Sequence, residues 1–140
     1  MAFANDRVWG TLSANVVVHP RTLADPRLGR AVEEAIRKLR YGTVAVNVWA
    51  AYGFGLGTTP WGAYPGSTLT DIQSGRGFVH NTLMLEHVEK AVVRHPASGV
   101  PKPLHFPSHR TAHRVGRRLV DLEARGWRAM PGVIAAGLAG

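Results

Sequence analysis

Ala14-Asn15-Val16-Val17-Val18-His19, Asp25-Pro26 and Gly42-Thr43-Val44-Ala45-Val46-Asn47 decide the fold of this chain. Three consecutive valines predict a strand buried on both faces, and Pro20 stops it. Asp25-Pro26 predicts a helix start, with Asp as cap and Pro at the first position, where no backbone donor is needed. Leu28, Val32, Ala35, Ile36 and Leu39 follow at helical spacing as one apolar stripe. Arg37, Lys38 and Arg40 sit where cations favour the negative helix end. Gly42 is expected to supply a left-handed stop. Thr43 to Asn47 is the next β-rich, nearly all-apolar run. Strand, helix and strand in this order have the size of a right-handed parallel crossover unit. The fold class is therefore α/β, with a parallel sheet covered by helices on both sides. One crossover leaves such a sheet without neighbours, so residues 1–47 read as part of something larger.

Downstream, Val48 to Thr70 is glycine-rich and carries Trp49, Tyr52, Phe54, Trp61 and Tyr64. Glycine lets backbone approach a ligand while rings supply apolar surface; the same rings could equally plug a core. Gly53-Phe54-Gly55-Leu56-Gly57 lacks dinucleotide spacing and is followed by Thr58-Thr59-Pro60 rather than a helix start. A short helix is expected within Phe78 to Glu89, with Leu85, Val88 and Val92 on one face. Ala91-Val92-Val93-Arg94-His95-Pro96 reads as a short strand ended by proline. Ala97 to Pro107 reads as a proline-rich linker or extended arm. A helix from Ser108 or Thr111 to about Arg125 carries a narrow stripe of Val115, Leu119 and Leu122, and Gly126 ends it. Met130 to Ala139 is apolar and reads as a terminal anchor.

The chain has 140 residues, 45% hydrophobic and 19% charged, which suits one domain with one core rather than disorder. It contains no cysteine, which excludes a disulfide, a thiolate metal site and a cysteine nucleophile. Met1 to Asp6 has no basic region followed by an apolar run. The longest apolar stretch, Val44 to Leu56, is too short to span a bilayer, and a cytoplasmic location is expected. The formal net charge is +8. Between His95 and Arg128 seven Lys or Arg stand against Asp121 and Glu123. This reads as a solvated basic face, so no nucleic-acid partner is expected. His105, His109 and His113 are spaced by four, but Pro107 breaks the run and no further ligand stands nearby, so no metal site is expected. Asp121 and Glu123 point apart on a helix. Ser13 and Ser74 lack a triad signature.

Five local patterns in order resemble the aldehyde dehydrogenase family over roughly residues 3–95. They are Asn5-Asp6 with Gly10-Thr11-Leu12-Ser13-Ala14, then Gly42 to Asn47, then Pro60-Trp61-Gly62-Ala63, then Ser74-Gly75-Arg76-Gly77, and finally Glu89-Lys90-Ala91-Val92-Val93. The pattern departs from the family's at Thr11, which is inserted, at Trp9 and Ala63, and in the longer gap from Tyr64 to Asp71. The resemblance implies the C-terminal part of a catalytic domain over 1–77, a helix and oligomerisation strand over 78–96, and an arm with a basic helical tail over 97–140. The family oxidises aldehydes to acids with NAD or NADP, through a cysteine thiolate and a glutamate that activates water. Both residues and the cofactor site belong upstream of the matched segment. NAD or NADP is thus implied for a complete enzyme, with none expected on this chain alone and no catalytic residue carried over. The resemblance does imply a substrate-tunnel wall of Trp61, Tyr52, Phe54 and Asn47, and a subunit contact at Ala91, Val92 and Val93. It implies a homo-oligomer, or docking to an upstream portion of the enzyme. The alternative is a non-catalytic binding or assembly module that keeps the wall and the contact strand.

Overall fold

A computed structural model describes residues 1–96, 104 and 109–139. The chain divides into two compact units, Met1–Ala97 and Ser98–Gly140.

The first unit is α/β. Its centre is a three-stranded parallel sheet in the order β1-β2-β5, with β1 at Ser13–Val16, β2 at Thr43–Val46 and β5 at Ala91–Arg94. Ser13 lies opposite Thr43 and Thr43 opposite Ala91, and each ladder runs four residues. After the short N-terminal helix α1 (Ala2–Asp6), the crossover from β1 to β2 passes through α2 (Pro20–Ala24) and α3 (Pro26–Lys38). Asp25 caps α3 as its sequence requires: Oδ1 accepts from the amides of Arg27 and Leu28 at 2.9 and 2.8 Å. The helix stripe then closes one face of the sheet. Ile36 and Leu39 pack with Tyr41, Val44 and Val46, and Ala4, Ala14, Val16 and Val32 border them. On the other face Ala45, Val48 and Ala50 pack with Val93, beside the short helix α4 (Ala51–Gly55). The central strand is therefore buried on both faces, and Thr43 and Val44 are completely enclosed. Each such valine contributes on the order of 2 kcal/mol from burial alone.

The structure corrects several expectations. The strand expected over 14–19 ends at Val16, and it is half-exposed rather than buried on both faces. It lies at the sheet edge, and Val17 is 85% exposed. Pro20 does more than stop a strand. It opens α2, where His19 Nδ1 accepts from the Arg21 amide. Gly42 is not left-handed; α3 ends instead at Leu39 in extended conformation. Phe78 to Glu89 is not helical. It begins with β4 (Phe78–Val79), which pairs antiparallel with β3 (Trp61–Gly62). His80, Asn81 and His87 then take positive φ, which no helix accommodates. Leu85, at 43% exposure, gains no core position.

Lys90 joins these parts. Its Nζ donates to the carbonyls of Arg37 at 2.8 Å and of Leu39, at the C-terminus of α3. A cation there satisfies carbonyls that the helix leaves open and meets its negative end. Burial pushes the ammonium pKa down, against the opposing pull of Glu89.

In the second unit α5 (Ala112–Arg125) ends at Gly126, whose φ is +67°. A 3-10 turn (Gly126–Ala129) leads into α6 (Met130–Leu138). Thr111 Oγ1, before α5, donates to the Ala136 carbonyl near the end of α6 at 2.6 Å, so the two helices run antiparallel. Apart from Leu104, the arm expected over 97–107 lies outside the described residues, as does His105. Among the described residues no helix is long and apolar enough to cross a membrane.

Candidate functional site

Three of the five sequence patterns meet at Thr11, and the residue that follows a fourth joins them. Its amide donates to Ser74 Oγ at 2.8 Å, and the preceding Gly10 amide donates to Gln73 Oε1 at 3.1 Å. Its carbonyl accepts from the amides of Gly42 at 2.9 Å and Tyr64 at 3.0 Å. Ser74 is thus a backbone clamp, and Gln73 holds its side chain in place from a left-handed φ of +47°. Thr11, an insertion relative to the family pattern, is the hub of this junction.

The glycines of two patterns are explained here. A Cβ on Gly42 would stand 1.8 Å from the Gly62 carbonyl oxygen, and one on Gly62 would stand 2.2 Å from the Gly77 carbonyl oxygen. Three backbone segments are stacked too closely for any side chain.

Above this junction lies the aromatic part of the expected wall. Phe54 and Trp61 meet edge to face, with ring centroids 5.9 Å apart at 71°, a favourable aromatic geometry. His80 joins Phe54 at 5.2 Å. Gly53 lets α4 settle here, since a Cβ would come within 2.8 Å of Thr43 Cγ2 and 3.4 Å of the Trp61 ring. Phe54 is 53% exposed and Tyr52, on the same helix, 44%. The sequence offered no signal for His80, which takes a φ of +66° in the loop that follows β4.

Asn47 occupies a different place. It follows the end of β2, whereas Gly53 and Trp61 lie against Thr43 at its beginning. Four extended residues separate the two points, or ~13 Å. Asn47 Oδ1 accepts from the Val18 amide at 2.8 Å, and Asn15 Oδ1 accepts from the Ala50 amide at 3.0 Å. The two asparagines lace the strand exits together at the carboxyl end of the sheet, the end where open α/β sheets place their ligands. Asn47 is buried and its Nδ2 has no partner. Trp61 and Phe54 therefore meet between the hairpin and α4, Tyr52 lies two residues before Phe54 and so faces elsewhere, and Asn47 follows the opposite end of β2.

The third feature is the outer edge of β5. The Ala91 amide donates to Gly42 and the His95 amide to Val46. By the alternation of a parallel ladder, Val92 and Arg94 turn their backbone groups away from β2. Alongside runs a groove of 980 Å3 between α3 and β5, with Ile36, Leu85, Val88 and Val92 among its apolar lining. Glu33 and Arg94 face each other on its wall in a two-point pair of 3.0 and 2.8 Å. Ala91 is buried against the sheet, while Val92 is 39% exposed.

The remaining candidates form no reactive cluster among the described residues. Asp121 is held by Arg118 at 3.1 Å, and Glu123 is exposed. Ser13 belongs to β1. His109 is buried and His113 exposed, and among the described residues no three His, Asp or Glu side chains are grouped to hold a metal. An open helix N-terminus is a ready site for a pyrophosphate. The first turn of the crossover helix α3 is instead occupied by the Asp25 carboxylate, which would repel it. No family model, curated protein or solved structure matches the chain.

Proposed function

We propose that this chain is the C-terminal part of an NAD(P)-dependent aldehyde-oxidising assembly. In this reading it supplies sheet, aromatic wall and subunit contact to a catalytic centre whose nucleophile, base and cofactor pocket lie on another segment. The observation that carries the reading is the junction at Thr11. Patterns scattered over more than sixty residues, Gly10-Thr11 to Gln73-Ser74, are tied there into one unit by hydrogen bonds and close backbone approach. Phe54 and Trp61 offer an apolar surface suited to the hydrocarbon part of an aldehyde. The crossover helix α3 does not offer its N-terminus to a pyrophosphate, because the Asp25 carboxylate caps it. With no cysteine in 140 residues, the family's covalent step has no nucleophile here.

The open β5 edge and its groove favour a second reading, an assembly module that docks to another polypeptide without a catalytic role. Both readings share one expectation: purified chain given a panel of aldehydes with NAD or NADP forms no reduced cofactor. Turnover that survives removal of contaminating enzymes would overturn both. The coding sequence upstream of the Met1 codon separates the two. The enzyme reading expects a linked segment bearing a cysteine, a glutamate and a nucleotide site, and the module reading does not.

A further inference from the structure

The second unit carries an unusual pairing of surfaces. Over residues 109–139 there are six arginines and two acids. Arg114, Arg117 and Arg125 recur with Asp121 at three- and four-residue spacing, so they form one stripe along α5, and Arg110 stands in the turn just before the helix. Among the described residues of this unit, the one ion pair joins Arg118 to Asp121. The α6 helix lies against this same side. The cavity of 850 Å3 between the helices is lined by Arg114, Arg117 and Arg118 from one and by Gly132, Ala135 and Ala136 from the other. A Cβ on Gly132 would stand 3.4 Å from Arg118 Cδ, so small residues let α6 approach the arginine side.

Two larger side chains of α6 point away. Ile134 and Leu138, four residues apart, are 54% and 60% exposed, and Trp127 in the intervening turn is 80% exposed. Arg114, Arg117 and Arg125 are themselves exposed, so the second unit presents both a basic stripe and an apolar row to solvent. A purely anionic polymer such as nucleic acid would neutralise the arginines but leave the apolar row wet. An anionic bilayer meets both: phosphates take the guanidinium groups, and the headgroup–acyl boundary takes Trp, Ile and Leu.

We propose that the α5–α6 hairpin docks on the surface of an anionic lipid bilayer, with Trp127, Ile134 and Leu138 entering the headgroup–acyl boundary and Arg110, Arg114, Arg117 and Arg125 on the lipid phosphates. It lies on the surface and does not span. The proposal is independent of the aldehyde-oxidising reading, which concerns the other unit.

The test uses the full chain and sedimentation with vesicles at physiological salt. One set is phosphatidylcholine alone and the other contains about one-third phosphatidylserine. The chain is expected to pellet with the anionic vesicles and stay in solution with the neutral ones. Arg114→Gln with Arg117→Gln is expected to weaken partitioning about 30-fold. Leu138→Ser should weaken it about tenfold. These side chains are exposed, so circular dichroism should match the wild type in every variant. Tryptophan emission should shift to the blue on binding, and Trp127→Phe should remove most of that shift. Failure to pellet with either vesicle overturns the proposal. So does binding that ignores both the arginine and the leucine substitutions. Tight binding to a short DNA duplex while anionic vesicles stay unbound would assign the basic stripe to nucleic acid instead.

Discussion

Gly42→Ala is expected to cost the first unit about 3 kcal/mol or more, the upper range for forcing atoms into a filled site. The added carbon would stand 1.8 Å from the carbonyl oxygen of Gly62 and 2.8 Å from its carbonyl carbon. These are backbone atoms, fixed by the Gly42 and Tyr64 amides that share the Thr11 carbonyl. They cannot rotate aside as a side chain would. Relief requires β3 to lift from β2, which breaks the junction joining the sequence patterns. Small domains hold only about 5–15 kcal/mol in total, so a loss of this size should move a urea midpoint sharply or abolish the transition. Gly55→Ala is the control. It lies in α4, and a Cβ added there would meet nothing within 4 Å, so the change should be neutral or slightly stabilising. Equal midpoints for Gly42→Ala and wild type would mean that the close approach of β3 to β2 is absent.

Asn47→Val should be nearly as damaging, at about 3 kcal/mol from two additive causes. Asn47 sits at φ +58°, a region that a β-branched residue enters only with strain. Its Oδ1 also accepts from the Val18 amide at 2.8 Å, and valine would leave that amide without its partner. The contrast with Asn47→Gly separates the causes. Glycine removes the hydrogen bond but accepts the backbone, so it should cost about 1 kcal/mol. Urea melts of both variants check the order. If valine and glycine are equally costly, backbone strain plays no part at this strand exit.

The crossover is legible in the sequence because its determinants are local. Asp25-Pro26 fixes a helix start within three residues. The stripe from Leu28 to Leu39 fixes which face is buried, although Leu28 itself stays 47% exposed. Thr43 to Val46 is apolar enough to be central. What escapes a sequence reading depends on partners far along the chain. The valines at 16–18 suit a doubly buried strand, yet Val17 is at an edge because, among the described residues, no strand lies beyond β1. Gly42 suits a helix stop, since nothing local shows that Gly62 presses against it. Leu85 and Val88 match a helical face, but the left-handed turns at His80, Asn81 and His87 prevent one. The candidate wall is only half legible for the same reason. Phe54 and Trp61 converge through a hairpin and a short helix, while Asn47, just past the far end of β2, turns its side chain to the Val18 amide. Lys90, which caps a helix more than fifty residues earlier, carries no local sign of that role.

At the centre of both functional readings is a β5 edge that this chain offers to another polypeptide. The family resemblance implies a contact strand at Ala91, Val92 and Val93. Among the described residues β5 is an edge of the sheet, with Val92 half-exposed beside an apolar groove. An unpaired parallel edge next to such a groove invites association. When the chain is alone, the partner at hand is a second copy. Light scattering on the size-exclusion peak, over rising concentration, measures this directly. The expected mass climbs from the 15.2 kDa of one chain toward at least twice that value, and returns to one chain's mass in Val92→Lys, whose charge would face the groove. A wild-type chain that stays at the mass of one copy at every concentration, indistinguishable from Val92→Lys, would contradict it.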